Sequence, residues 1–151
     1  PGVTRPGATT AVPTIHVDLA ATIVEIAGAA PAEGQPFDGT SLVPLLRDPG
    51  WAGPRPPVFQ HFPGYLGAGP GLWRTTPGGS VQEGNWKLLE FFEDGRRELY
   101  DLDADPGETT DLAARLPDRA DAMHRLLRAW RDRVGAPMPE RRDPEGGRDD
   151  G

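Results

Sequence analysis

Asp101, Asp103 and Asp105, in "ELYDLDADPGE", stand at alternate positions, the spacing at which carboxylates converge on one hard cation in a calcium loop. Such a loop needs glycine at its sixth position for a sharp turn and a bidentate glutamate at its twelfth. This sequence has Pro106 and Leu112 there. Leucine in place of the glutamate removes a charge and two ligand oxygens. Turn chemistry is the better reading: Asp101 closes a strand, Asp103 to Gly107 reverse the chain, and Asp111 caps the next segment.

His61, in "VFQHFPGY", is the candidate for substrate contact. A histidine at the end of a strand, among aromatics and followed by Pro-Gly, can present its imidazole into a cleft as a hydrogen-bond donor to an anionic or sugar group. The alternative is a packed, hydrogen-bonded histidine. His16, at the start of a helix, and His124, on the wet side of another, read as capping or solvated. Lys87 reads as a strand lysine whose stem covers apolar surface. The two serines, Ser41 and Ser80, have no neighbouring histidine and no G-x-S-x-G elbow, so a self-contained serine hydrolase is disfavoured. The chain has no cysteine, which removes disulfides, thiolate metal sites and a cysteine nucleophile.

Few elements are available to position these groups. "HVDLAATIVEIAG" predicts a helix ended by Gly28, with Asp18, Thr22 and Glu25 on one narrow polar stripe and apolar residues elsewhere. A helix so apolar around its circumference must pack on several sides. A helical turn is predicted about Leu42 to Leu46 and a strand over Val58 to His61, in an otherwise loop-rich stretch. "GNWKLLEFFEDGRRELYDL" predicts a hairpin with a two-residue Asp94-Gly95 turn, which sets Glu93 opposite Arg96, Phe92 opposite Arg97 and Leu89 opposite Tyr100. Leu89, Phe91, Tyr100 and Leu102 then share a face, taken as the core side. Met123, Leu127, Trp130 and Val134, widened by Leu126, mark an amphipathic helix between Pro117 and Gly135, with Asp121–Arg125 and Arg128–Asp132 as i,i+4 pairs outside. The fold class this defines is α+β: a small antiparallel sheet on a C-terminal helix.

With 20 Gly and 18 Pro, about a quarter of 151 residues, the core must be concentrated in a few segments. A net charge of −7 argues against nucleic acid or an anionic membrane as partner. No apolar run reaches the ~20 residues of a membrane helix. The start, "PGVTRPGATTAVP", has no periodicity and reads like the middle of a longer polypeptide, and "ERRDPEGGRDDG" reads as a disordered tail.

"PTIHVDLAATIVEIAG", "FDGTSLVPLLRDP" and "EGNWKLLEFFEDGRRELYDLDADPGETTDLA", in that order, resemble the C-terminal third of the formylglycine-dependent sulfatases of the alkaline-phosphatase superfamily. The resemblance spans about Val12 to Pro139. "VFQHFPGY" resembles the "WHFPHY"-type segment of the N-sulfoglucosamine sulfohydrolase-like branch, with Gln60 in place of its Trp and Gly64 in place of its second His, so the substrate subclass stays open.

The resemblance implies that residues 1–50 end a large α/β domain, 51–139 form the sheet-plus-helix subdomain, and 140–151 are a tail. It implies a parent sulfatase, exported to the periplasm or beyond, that hydrolyses sulfate esters or sulfamates of a carbohydrate with calcium and formylglycine. Its partners would be a missing N-terminal domain and the sulfated sugar. Neither cofactor is expected in this chain: the C/S-x-P/A-x-R motif is absent, Ser41 being followed two positions on by Val43 and Ser80 by Gln82. No catalytic or metal-ligating residue is therefore assigned here, and His61 is the one substrate contact. The chain alone is expected to be inactive. The competing readings are a phosphonate or phosphodiester hydrolase of the same superfamily and a stand-alone binding module.

Overall fold

The computed structural model describes residues 3–69 and 72–140. It divides into two compact units, Pro1–Val58 and Phe59–Gly151. The tail from 141 onward lies outside the described residues.

The first unit holds helices α1 (Asp18–Ile26) and α2 (Val43–Arg47). Two residues of the polar stripe of α1, Asp18 and Thr22, are buried, while Glu25 is exposed. Asp18, 2% exposed, accepts hydrogen bonds from the Ile15 and Thr40 amides and from Arg55 Nη2 at 2.9, 2.8 and 2.6 Å. Burial alone would raise the Asp18 pKa, but Arg55 and the two amides outweigh it and hold the carboxyl below its ordinary value. Thr22 Oγ1 donates to the Asp18 carbonyl and accepts from the Leu42 amide. The 39–42 loop fits against this stripe because Gly39 has no side chain: a Cβ there would stand 2.3 Å from the Val17 carbonyl oxygen. Leu19, Ile23 and Ile26, expected to pack, are 54, 65 and 66% exposed.

The second unit is a four-stranded antiparallel sheet under a helix. Strands β1 (Val58–Phe62), β4 (Gly78–Glu83), β5 (Trp86–Phe91) and β6 (Arg97–Asp101) lie in that order across the sheet. A separate hairpin joins β2 (Leu66–Gly69) to β3 (Leu72–Thr75). Helix α3 (Pro117–Val134) starts on its proline and ends where Gly135 takes φ 62°. Val81, Leu88 and Leu99 are fully buried against Ala120, Met123 and Leu127 of α3. Phe59 stacks on Trp130 at the rim, with ring centroids 5.0 Å apart.

Several expectations need correction. The core face of β5 and β6 carries Leu88 and Leu99, not Leu89, Phe91 and Leu102, although Tyr100 is also buried. Glu90 and Arg97 share the face of Leu88 and Leu99 and made it look wet. Helix α3 neutralises the acid: Arg131 Nη1 lies 2.5 Å and His124 Nε2 2.9 Å from the Glu90 carboxylate. His124 is thus half-buried and bonded to the sheet rather than solvated. Asp121 turns to Arg97 at 2.7 Å.

The hairpin register is displaced by two residues, with Leu89 opposite Glu98 and Lys87 opposite Tyr100. The turn is longer than predicted because Asp94 Oδ1 accepts the Arg96 amide, so that only Gly95 needs positive φ. A type I′ turn would have demanded it of Asp94 as well. Arg96 consequently lies over the Phe91 ring, 3.9 Å from its centroid. Strands β2, β3 and β4 were not anticipated. In β4, Gly78 and Gly79 carry no β signal, and close approach favours them: a Cβ at Gly78 would sit 2.9 Å from the Glu90 carbonyl oxygen, and one at Gly79 3.3 Å from both the Gln60 carbonyl and the Phe92 ring.

Candidate functional site

The end of β1 is where the sequence placed its one candidate contact, and alternation along a strand decides what each residue there can reach. Phe59 and His61 point to the α3 side. His61 packs against Phe92 with ring centroids 5.3 Å apart. Its Nε2 lies 2.7 Å from the Pro137 carbonyl oxygen, just beyond α3. A carbonyl only accepts, so Nε2 carries a proton. Nδ1 is enclosed and has no hydrogen-bond partner. His61 is therefore positioned by a backbone bond on one nitrogen, with the other unsatisfied.

Gln60 and Phe62 point to the opposite, outer face of the sheet. Ser80 Oγ donates to Gln60 Oε1 at 3.2 Å, and Ser80 pairs with Leu89. A cavity of ≈470 Å³ lies here between the end of β1, Thr75 and Thr76, the start of β4 and the end of β5. Sequence reasoning missed Gln60 and Ser80. The alternation of Gln60 with His61 was the available signal, since it sets the two on opposite faces.

The acidic row makes turns, as Pro106 and Leu112 in place of the calcium-loop residues suggested. Asp101 Oδ1 accepts from Asn85 Nδ2 at 2.6 Å and from the Asp103 amide. Asp105 accepts the Thr109 and Thr110 amides, both at 2.8 Å, and the Thr109 hydroxyl. Those bonds hold its carboxyl below the ordinary value, the Thr110 amide contributing most. Asp111 Oδ1 caps the Ala113 amide and accepts the Leu99 amide at the edge of the sheet. Lys87, expected only to cover apolar surface, reaches Glu108 at 2.6 Å. Among the described residues no group of three or more His, Asp or Glu side chains is placed to hold a metal ion. Neither serine suits a formylglycine precursor: Ser80 is buried on Gln60, and Ser41 Oγ accepts the Val43 amide. Among the described residues, then, no arrangement fits calcium or formylglycine.

A four-stranded antiparallel sheet on one helix, after a small helical unit, is the architecture of a sulfatase C-terminal region, and comparison with known proteins agrees. Residues 1–132 match the family described as "N-sulphoglucosamine sulphohydrolase, C-terminal", and the chain belongs to that family. A sulfatase of Formosa agariphila is 34% identical over 151 aligned positions, covering 91% of this chain and 26% of its own length. A choline-sulfatase of Rhizobium meliloti is 31% identical over 80% of this chain and 21% of its own. The structure of BT4656 in complex with its substrate D-glucosamine-2-N,6-O-disulfate shares the fold, with TM-score 0.68 and 24% identity over 93% of this chain and 28% of its own. This chain spans about a quarter of the length of the curated relatives it matches.

Proposed function

We propose that this chain is the part of a carbohydrate sulfatase that walls one side of its substrate cleft, and that His61 contacts the substrate there. The family match over residues 1–132 carries this reading, since the family takes its description from an enzyme of a sulfated amino sugar. The nucleophile and the calcium ligands then belong to the larger domain of the enzyme. What this region supplies is shape and hydrogen bonding. A buried acceptor left without a donor costs about 1–3 kcal/mol. His61 Nδ1 is a buried atom without a partner, and it becomes available to a substrate only when the ring turns out of its present position.

The test is the reaction profile of an enzyme carrying this region on its large domain. Release of inorganic sulfate from sulfated glucosamine, choline sulfate and an aryl sulfate is compared with hydrolysis of a phosphodiester. The expected result is sulfate release with the sugar preferred at least tenfold in kcat/KM. A preference for the phosphodiester would overturn the reading, and a preference for choline sulfate would overturn its carbohydrate part.

A further inference from the structure

His61 is among the residues around the cavity on the outer sheet face, but its imidazole is engaged with Pro137 and Phe92 on the α3 side, so the chemistry of the cavity comes from its other residues. Ser80, Leu89, Gly78 and Phe91 share this face through the β4–β5 register, and Gln60 and Phe62 join it by alternation along β1. At ≈470 Å³ the space is of the size that holds a small ligand. Phe62, Leu89 and Phe91 give it apolar walls, and Gly78 leaves room that a side chain would take. Four neutral hydrogen-bonding groups line it: the Gln60 amide and the hydroxyls of Ser80, Thr75 and Thr76.

Charge is what this surface lacks. Glu90 is the one charged residue among the lining residues, and its carboxylate is turned through the sheet to Arg131 and His124. Two cations on the same face are already committed: Lys87 to Glu108 at 2.6 Å, and Arg96 to Glu98. A sulfate group brought here would lose hydration and meet no lysine or arginine among the lining residues, and burying an unpaired anion is strongly unfavourable. A ring with hydroxyls on its edges and C–H groups on its faces meets both requirements of the surface. Amide and hydroxyl side chains can donate and accept in turn, and the aromatic rings cover the apolar face.

We infer that this cavity is a binding site for an uncharged sugar ring, a neighbour in the glycan of the sulfated residue rather than that residue itself. The inference rests on the proposed carbohydrate substrate. Gln60 is the residue that sets its specificity: its Oε1 is held by Ser80, which leaves the amide N–H groups to donate to the ligand. It is exposed, so its truncation does not open the core.

The experiment has two readouts. In the first, the 151-residue chain is titrated with a neutral N-acetylglucosamine trisaccharide and followed by NMR. The expected result is saturable shifts confined to Gln60, Thr75, Thr76 and Ser80, at least tenfold weaker binding in Gln60→Ala, and no gain in affinity at these residues when the trisaccharide is sulfated. In the second, Gln60→Ala in the complete enzyme is expected to raise KM at least fivefold for a sulfated trisaccharide and to leave the sulfated monosaccharide unchanged. Shifts elsewhere only, stronger binding of the sulfated sugar at the cavity, or equal losses for both substrates would overturn the assignment. An enzyme that releases sulfate from sugars while its Gln60→Ala variant shows no length dependence would sink this site and leave the sulfatase reading standing. Absence of any sugar sulfatase activity, with the trisaccharide still bound at Gln60, would do the reverse.

Discussion

Glu90 shows how a single residue can hide a face of a sheet. Its side chain is 13% exposed, and it accepts from both Arg131 and His124. Burial by itself would raise its pKa; the hydrogen bonds and charges of Arg131 and His124 outweigh that and hold it below the ordinary 4.5. A depressed carboxyl stabilises the fold fully above the unfolded value, and that contribution disappears as pH falls through the lower folded value. Glu90→Ala, which strands Arg131, is expected to lower the unfolding free energy at pH 7 by about 3 kcal/mol. In urea titrations the gap between wild type and Glu90→Gln should shrink as pH drops below 4.5. A gap independent of pH would mean that the Glu90 charge contributes nothing. Period-2 reading could not find this cluster, because an acid on a strand looks solvated until a helix more than thirty residues later brings its partners.

The elements were legible where side chains carry a period. Helix α3 has the predicted ends, β1 and α2 fall where expected, and "WKLLEF" and "RELYD" are strands. What escaped was carried by glycine or by long-range contact. Strand β4 begins with two glycines whose extended conformation comes from pairing with β5, and β2, "LGAG", is glycine-rich with little β propensity of its own. The inverted face of β5 has a direct test. Leu88→Ala, which empties a fully buried site against Leu99 and Leu127, should cost about 2–5 kcal/mol, whereas Leu89→Ala, half-buried on the outer face, should cost about 1 kcal/mol. Thermal or urea unfolding of the pair measures the order, and the reverse order would put the core on the other side of the sheet.

At the scale of the whole molecule, the family was readable because its signatures are local strings, "FDGTSLVPLLRDP" and "ELYDLDADPGE", whose chemistry is the turn and cap bonding of Thr40, Asp101 and Asp105. The place of His61 in β1 was readable from the same kind of local string. Its partner was not, since Pro137 lies 76 residues away. The outer cavity was invisible too, because it is made by three separated segments meeting on one face. Most of α1's apolar surface stays uncovered within its own unit: Leu19, Ile23 and Ile26 are all more than half exposed. That exposure agrees with a region that spans a quarter of the length of its relatives.

The most direct test of the account is the kinetics of His61→Ala in a complete sulfatase carrying this region, measured by sulfate release from a sulfated glucosamine saccharide alongside the unfolding temperature. A substrate contact predicts a fall in kcat/KM of at least tenfold, about 1.4 kcal/mol of lost transition-state stabilisation, with a shift in Tm of no more than a few degrees for the lost Pro137 bond. Unchanged kcat/KM with a lowered Tm would contradict it, leaving His61 as a strut between β1 and the segment after α3.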